Sequence, residues 1–343
     1  MKNVKKLLCA ALALSLSLAL AACGDNGQTA AGSSAGSGSE PSGDVPVIGI
    51  NQFANHPSLD NCREGFLRGL EQAGLTEGTD YEILYQNADG TPETATQIAQ
   101  NFSAQNVALM CAIATPSATA CYAAAEDKDI PVIFTAITDP VEAKLDSGNI
   151  TGTSDKLPVE AQLELIRALQ PNAKTIGIIY TTSEPNSVSA IAEYKEKAPE
   201  YGFTIDDVGI TSQSEVAQAA DTLVAHQVDC LSNLTDNTVV DMLASVLEKT
   251  GEAGIPVYGS EVEQVKNGCV ASAGIDYVQL GIQTGLMAAK VLKGEAACQD
   301  LPYETISEYN TYINSDALNA MGIQVPADIA AKALEANEVE TAA

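Results

Sequence analysis

The chain has 343 residues, of which 45 are acidic and 17 basic, giving a formal net charge of −28. So negative a surface repels nucleic acid and anionic lipid headgroups, which argues against both as partners, and it keeps an exported protein in solution. At 45% hydrophobic residues the composition is that of a folded protein, long enough for two domains.

Lys2, Lys5 and Lys6 precede an apolar run over residues 7–20 that holds no acidic residue. This is the layout of a secretory signal spanning residues 1–22, too short to cross a bilayer. The run ends in Leu20-Ala21-Ala22-Cys23, which resembles the lipobox of bacterial lipoproteins. That resemblance implies cleavage before Cys23, lipidation of its thiol, and a mature chain of about −31 held outside the membrane by its lipid alone. An ordinary secretory signal with an incidental Cys23 is the alternative. From Cys23 to residue 44 small and polar residues dominate, the composition of a flexible linker. Six cysteines remain, Cys62, Cys111, Cys121, Cys230, Cys269 and Cys298, with no CxxC and no histidine at metal-ligand spacing. They read as buried free thiols rather than a disulfide or metal framework.

From residue 45 strands and helices alternate. Residues 46–50 form an apolar strand; residues 58–73 follow with Leu59, Cys62, Phe66, Leu70 and Ala73 at helical spacing. A strand over 81–85 leads to a helix opened by Thr91-Pro92, a strand over 107–114 to one opened by Thr115-Pro116-Ser117, and residues 130–136 form a fourth strand. Near-continuous apolar strands separated by helices predict a parallel sheet covered on both faces.

A second cycle begins at Thr175. Ile176-Gly177-Ile178 matches Ile48-Gly49-Ile50, Thr235 ends a strand as Thr115 follows one, and Ile255-Pro256-Val257 repeats Ile130-Pro131-Val132. A helix over 186–198 and strands over 203–208 and 228–234 fill the cycle, and a strand at 269–272, a helix at 277–292 and a strand near 309–313 follow it. The expected fold is α/β: two Rossmann-like lobes with parallel central sheets, joined by crossover hinge strands near residues 150–155, 274–276 and 304–310. This assigns 45–152 plus 275–303 to the N-terminal lobe, 153–274 plus 304–330 to the C-terminal lobe, and 331–343 to a tail.

Six ordered motifs narrow the reading. Residues 52–60 (QFANHPSLD), 114–118 (ATPSA), 138–141 (TDPV), 183–187 (SEPNS), 235–237 (TDN) and 274–277 (GIDY) resemble the ABC substrate-binding family that includes tryptophan- and tyrosine-binding lipoproteins, of type I periplasmic binding-protein architecture. The resemblance implies capture of a small amino acid, aromatic in kind, in the cleft between lobes and delivery to an ABC permease, with no cofactor. A ligand-sensing module of a membrane receptor is one alternative, a lipid-anchored enzyme another.

Ligands of open α/β sheets sit beyond the carboxyl ends of strands, where helix N-termini attract anions. Thr115 and Ser117 are therefore candidates for a ligand carboxylate, with Ser183, Asn186 and Ser187 offering the same chemistry on the opposite lobe. Asp236 is a candidate acceptor for an ammonium group; capping of the following helix explains Thr115 and Asp236 as well. Gln52, Phe53, His56, Thr138, Asp139, Asn237, Glu261 and Asp276 complete the candidate set. Tyr180 and Tyr258 read as core or pocket aromatics, and His226 as structural. No catalytic motif and no metal cluster can be assigned.

Overall fold

Two parallel sheets, each built by strands that alternate with helices, organise the molecule. In this computed structural model the described residues are 45–306 and 309–339; the signal, Cys23 and the linker lie outside them.

The first cycle runs β1 (Val47–Gln52), α1 (Pro57–Gln72), β2 (Glu82–Asn87), α2 (Pro92–Ala104), β3 (Leu109–Ile113), α3 (Thr115–Ala125), β4 (Val132–Thr135) and β5 (Ile150–Ser154). After β5 the chain enters α4 (Val159–Leu169) and the second cycle: β6 (Thr175–Thr181), α5 (Pro185–Lys197), β7 (Thr204–Ile210), α6 (Val216–Ala225), β8 (Cys230–Ser232), α7 (Asn237–Asp241), α8 (Leu243–Ala253), β9 (Val257–Tyr258), α9 (Val262–Lys266) and β10 (Ala271–Gly274). It then returns through α10 (Tyr277–Leu292) and β11 (Glu304–Thr305), and ends with β12 (Asn310–Ile313), α11 (Ser315–Ala320) and β13 (Leu334–Glu335).

The first sheet has the order β11-β5-β4-β3-β1-β2, all parallel. Its central strands are mostly apolar at the ladder positions, Ile48 opposite Leu109 and Met110 opposite Val132, because helices cover both faces; polar residues, Asn51, Gln52 and Thr135, enter at the carboxyl ends. The second sheet, β7-β6-β8-β9, repeats this order and direction. Backbone bonds from Val270 N–H to Val257 and from Gly259 N–H to Ala271 then continue it into β10, which pairs antiparallel with β12. The lobes are thus two copies of one winding, as the repeats Ile48/Ile176 and Ile130/Ile255 predict, on strands β1/β6 and β4/β9.

Lobe boundaries differ slightly from expectation. Thr153 and Ser154 of β5 pair with Glu304 and Thr305 of β11, so both segments belong to the first lobe up to those residues. The second lobe extends past residue 330, since Leu334 and Glu335 pair with β12 and Ala336 is buried. The six cysteines beyond residue 45 are all buried free thiols.

Two helices are joined with unusual closeness. Gly65 and Gly69 of α1 face Gly281 and Gly285 of α10, and a Cβ on any of the four would collide with the backbone of the other helix. Only glycine permits this approach. The contact fixes α10, which the chain enters directly from a crossover, onto the helix that carries the first loop.

Candidate ligand-binding site

The carboxyl ends of both sheets face each other across a cleft, and the sequence places polar loops on either side. At β3, Ala114 takes a left-handed φ of 78° and turns Thr115 to open α3; at β4, Ala136 has φ 58°. Non-glycine residues rarely adopt this region, and such strain collects where a loop must aim a group.

Both alanines line a small pocket of mostly buried residues, together with His56, Ser58, Thr115 and Tyr277 of the first lobe, Asp155 at the crossover, and Asn186, Thr235, Asn237 and Glu261 of the second. Its volume is about 20 Å³, room for a water or two. Thr115 Oγ1, Asn186 Oδ1 and His56 Nδ1 are buried there without a hydrogen-bond partner, a cost of about 1–3 kcal/mol each unless a ligand or water supplies one.

Two carboxyl groups face the same space. Asp155, 2% exposed, accepts from Tyr277 Oη at 2.6 Å and Thr138 Oγ1 at 3.0 Å. Glu261 caps α9 by accepting from the N–H groups of Glu263 and Gln264. Burial raises both acids, Glu261 to about 7, since desolvation penalises the ionised form. Burial also lowers His56 to about 4, leaving it neutral. No lysine or arginine is among the described lining residues.

Beside the pocket lies an open cavity of about 1010 Å³ between α2 and α3 on one side and the loops after β6 and β7 on the other. Phe53, Pro116, Ser183 and Glu184 line it. It adjoins the small pocket through neighbouring residues, Thr115 with Pro116 and Glu184 with Asn186. We place the site in the small pocket, because unpartnered polar atoms from both lobes converge there and the larger cavity is an open mouth.

Several bonds cross between the lobes. Thr138 Oγ1 meets Thr235 Oγ1 at 3.0 Å, Ser189 Oγ donates to Asp139 at 2.7 Å, Asn61 Nδ2 to Glu263 at 3.2 Å, and His56 Nε2 lies 3.4 Å from Asn237 Oδ1. These hold the cleft in a closed arrangement.

Of the residues singled out in the sequence, the pocket brings together His56, Thr115, Asn186, Asn237 and Glu261, while Phe53 and Ser183 line the mouth and Thr138 and Asp139 close the seam. The others serve the scaffold. Asp236 is fully buried and accepts from Thr181 N–H, Thr181 Oγ1, Ser187 Oγ and Val239 N–H at 2.6–2.9 Å. Its oxygens are occupied, so it caps α7 and ties it to β6 instead of meeting the pocket. Ser187 is spent on that bond, Ser117 donates to Asn51, Gln52 donates to Asp60 and the Ala54 carbonyl, and Asp276 caps α10. Tyr258 is core, with its hydroxyl on Gln170, and His226 pairs with Asp206 on the surface.

Asp155, Tyr277, Glu184 and Ser58 are pocket or mouth residues not among the sequence candidates, although Ser58, Glu184 and Tyr277 stand within the motifs at 52–60, 183–187 and 274–277. Asp155 ends one predicted crossover and Tyr277 directly follows another, and a chain that passes between lobes must cross the cleft wall; that topology, with the motif at 274–277, was the available signal.

Comparison with known proteins gives the family and the fold. Residues 47–337 match the family model for ABC transporter substrate binding protein. The chain is 41% identical over 283 residues, 81% of each chain, to a tyrosine-binding protein of Clostridioides difficile strain R20291. It superposes with TM-score 0.81 and 34% identity on the ABC domain from Streptococcus pneumonia in complex with L-Trp, covering 84% of this chain and 99% of that one. Against the ligand-free, open structure of a substrate-binding protein with adhesive properties from Clostridium difficile the identity is 38% but the TM-score only 0.64, over 85% of this chain and 99% of that one.

Proposed function

The chain belongs to the ABC transporter substrate-binding protein family, with the two-lobed fold of type I periplasmic binding proteins, and from that premise we propose that it is an extracytoplasmic lipoprotein that captures an aromatic amino acid between its lobes and presents it to an ABC permease. The observation that carries the ligand class is the small pocket. Two buried carboxyl groups, Asp155 and Glu261, and the unpartnered Asn186 and Thr115 converge there with no cationic side chain beside them. A ligand ammonium group supplies the missing charge, and Asp155 is its acceptor in this reading.

The N-terminus of α3 takes the carboxylate. Thr115 stands in its first turn with a free hydroxyl, and the helix dipole favours an anion without a basic residue. The apolar body points to the mouth, where Phe53 and Pro116 lie. A pocket of about 20 Å³ has room for little more than the ammonium end of an amino acid as it stands, so the lobes must part to admit the ligand and settle less tightly around it, a hinge motion at the crossovers. The greater likeness to the tryptophan-bound relative than to the open one supports reading this arrangement as the closed state. Lipid anchoring rests on the motif at Cys23.

A panel of the twenty amino acids tested by thermal shift and calorimetry decides the ligand class. Tyrosine, tryptophan or both should raise the melting temperature and bind one to one. A panel without any shift or heat would remove amino acids as the ligand.

A further inference from the structure

Glu184 stands at the N-terminus of α5, 4% exposed, and its two oxygens accept from Asn186 Nδ2, from the N–H and Nδ2 of Asn237, and from the N–H and Oγ1 of Thr238. These bonds determine which end of each amide is free. Asn186 turns its NH2 to Glu184 and to the Thr235 carbonyl, so its Oδ1 is the atom left without a partner. Asn237 gives its NH2 to Glu184 at 2.7 Å, so Oδ1 faces His56. An oxygen there can only accept, which requires His56 Nε2 to carry the proton and leaves Nδ1 as a lone pair. Nδ1 is the atom found buried and unpartnered.

We propose that Glu184 is a positioning residue for specificity: through Asn186, Asn237 and His56 it turns this side of the pocket into an array of acceptors, and so selects ligands that bring an N–H-rich cationic group. The inference rests on the amino-acid reading above and adds the residue that enforces it. Glu184 itself meets no ligand in this account. Without its carboxylate either amide can rotate, present its NH2 to the pocket and let His56 change tautomer, and a donor facing an ammonium group repels it.

The test compares tyrosine with its deamino analogue 3-(4-hydroxyphenyl)propionate by calorimetry, in wild type, Glu184→Ala and Asn237→Leu. Histidine 15N shifts are recorded on the same proteins; with only His56 and His226 in the chain, a His226→Gln background isolates His56. In wild type, tyrosine should be favoured by about 100-fold or more and His56 should carry its proton on Nε2. Each variant should narrow the preference by about tenfold or more, mainly by weakening tyrosine, and convert His56 to mixed tautomers. General loosening of the fold would weaken both ligands alike. Asn237→Leu breaks the same relay with Glu184 intact and serves if Glu184→Ala does not fold. A folded variant that keeps the wild-type preference overturns the proposal, whatever its tautomer. Should wild type bind no amino acid, the reading of the ligand fails separately, and an unaltered His56 tautomer in the variants would overturn the role of Glu184.

Discussion

At the scale of single residues, the distinction between a carboxylate that holds the fold and one that awaits a ligand is made by counting its partners. Asp236 has four donors on its two oxygens; Asp155 has two, both hydroxyls, and faces a pocket without cations. Asp155→Asn should therefore weaken amino-acid binding about 100-fold, the loss expected when a buried ion pair loses one charge, while the melting temperature moves little. Asp236→Ala should do the reverse. Leaving its donors unpaired is expected to cost about 3 kcal/mol in urea denaturation, with ligand affinity reduced far less in the protein that remains folded. From sequence, both aspartates follow or flank a strand, and partner counts are set by neighbours distant in the chain. Thr181 and Ser187 stand 55 and 49 residues from Asp236, so the sequence offered two roles for that residue and no means of choosing between them. The position of His56, Thr115 and Asn186 at the cleft was legible because loops after parallel strands face it in any such sheet.

Elements were more legible than sites. Apolar runs such as Ile176-Gly177-Ile178 and the Thr-Pro openings of helices depend only on local chemistry, and β6, α2 and α3 follow them. The short α9 was not foreseen, since a five-residue helix carries no periodicity, and α7 was visible only as one of two readings of Asp236; Asp236 caps α7, while Glu261 both caps α9 and lines the pocket. The glycines of α1 and α10 illustrate the same limit. In the sequence they are helix-weakening residues, yet in the fold they permit a contact that joins the His56 loop to the Tyr277 crossover. Gly281→Ala should thus destabilise the protein by about 3 kcal/mol despite alanine's higher helix propensity, because its Cβ would meet the Cys62 carbonyl. Chemical denaturation monitored by tyrosine emission reads this directly. Alanine tolerated at Gly281 would mean that the two helices are less tightly apposed than described.

For the molecule as a whole, acids are buried around the cleft. Burial raises Asp155, Glu184 and Glu261, the last to about 7, with Asp236 adding repulsion at Glu184. A carboxyl raised in this way favours the folded empty protein below its ordinary value near 4.5, and that contribution is lost as pH rises through about 7. A ligand ammonium group favours the ionised acids, so binding below pH 7 must expel protons. Affinity for an amino acid should accordingly fall by roughly an order of magnitude between pH 8 and pH 5.5, with proton release visible as a dependence of binding heat on buffer ionisation enthalpy. His56, lowered to about 4, is neutral across this window and does not oppose the trend. A pH-independent affinity would place the ammonium group away from these carboxyls.

Capture of an aromatic amino acid between the lobes, as proposed, can be measured directly, because the chain contains no tryptophan. Free L-tryptophan titrated with the protein has no indole emission behind it. A saturable change in ligand emission is expected at one equivalent, as the indole leaves water for the mouth near Phe53, with reversal by tyrosine competing for the same site. Unaltered emission, with tyrosine also giving no heat in calorimetry, would contradict the proposal.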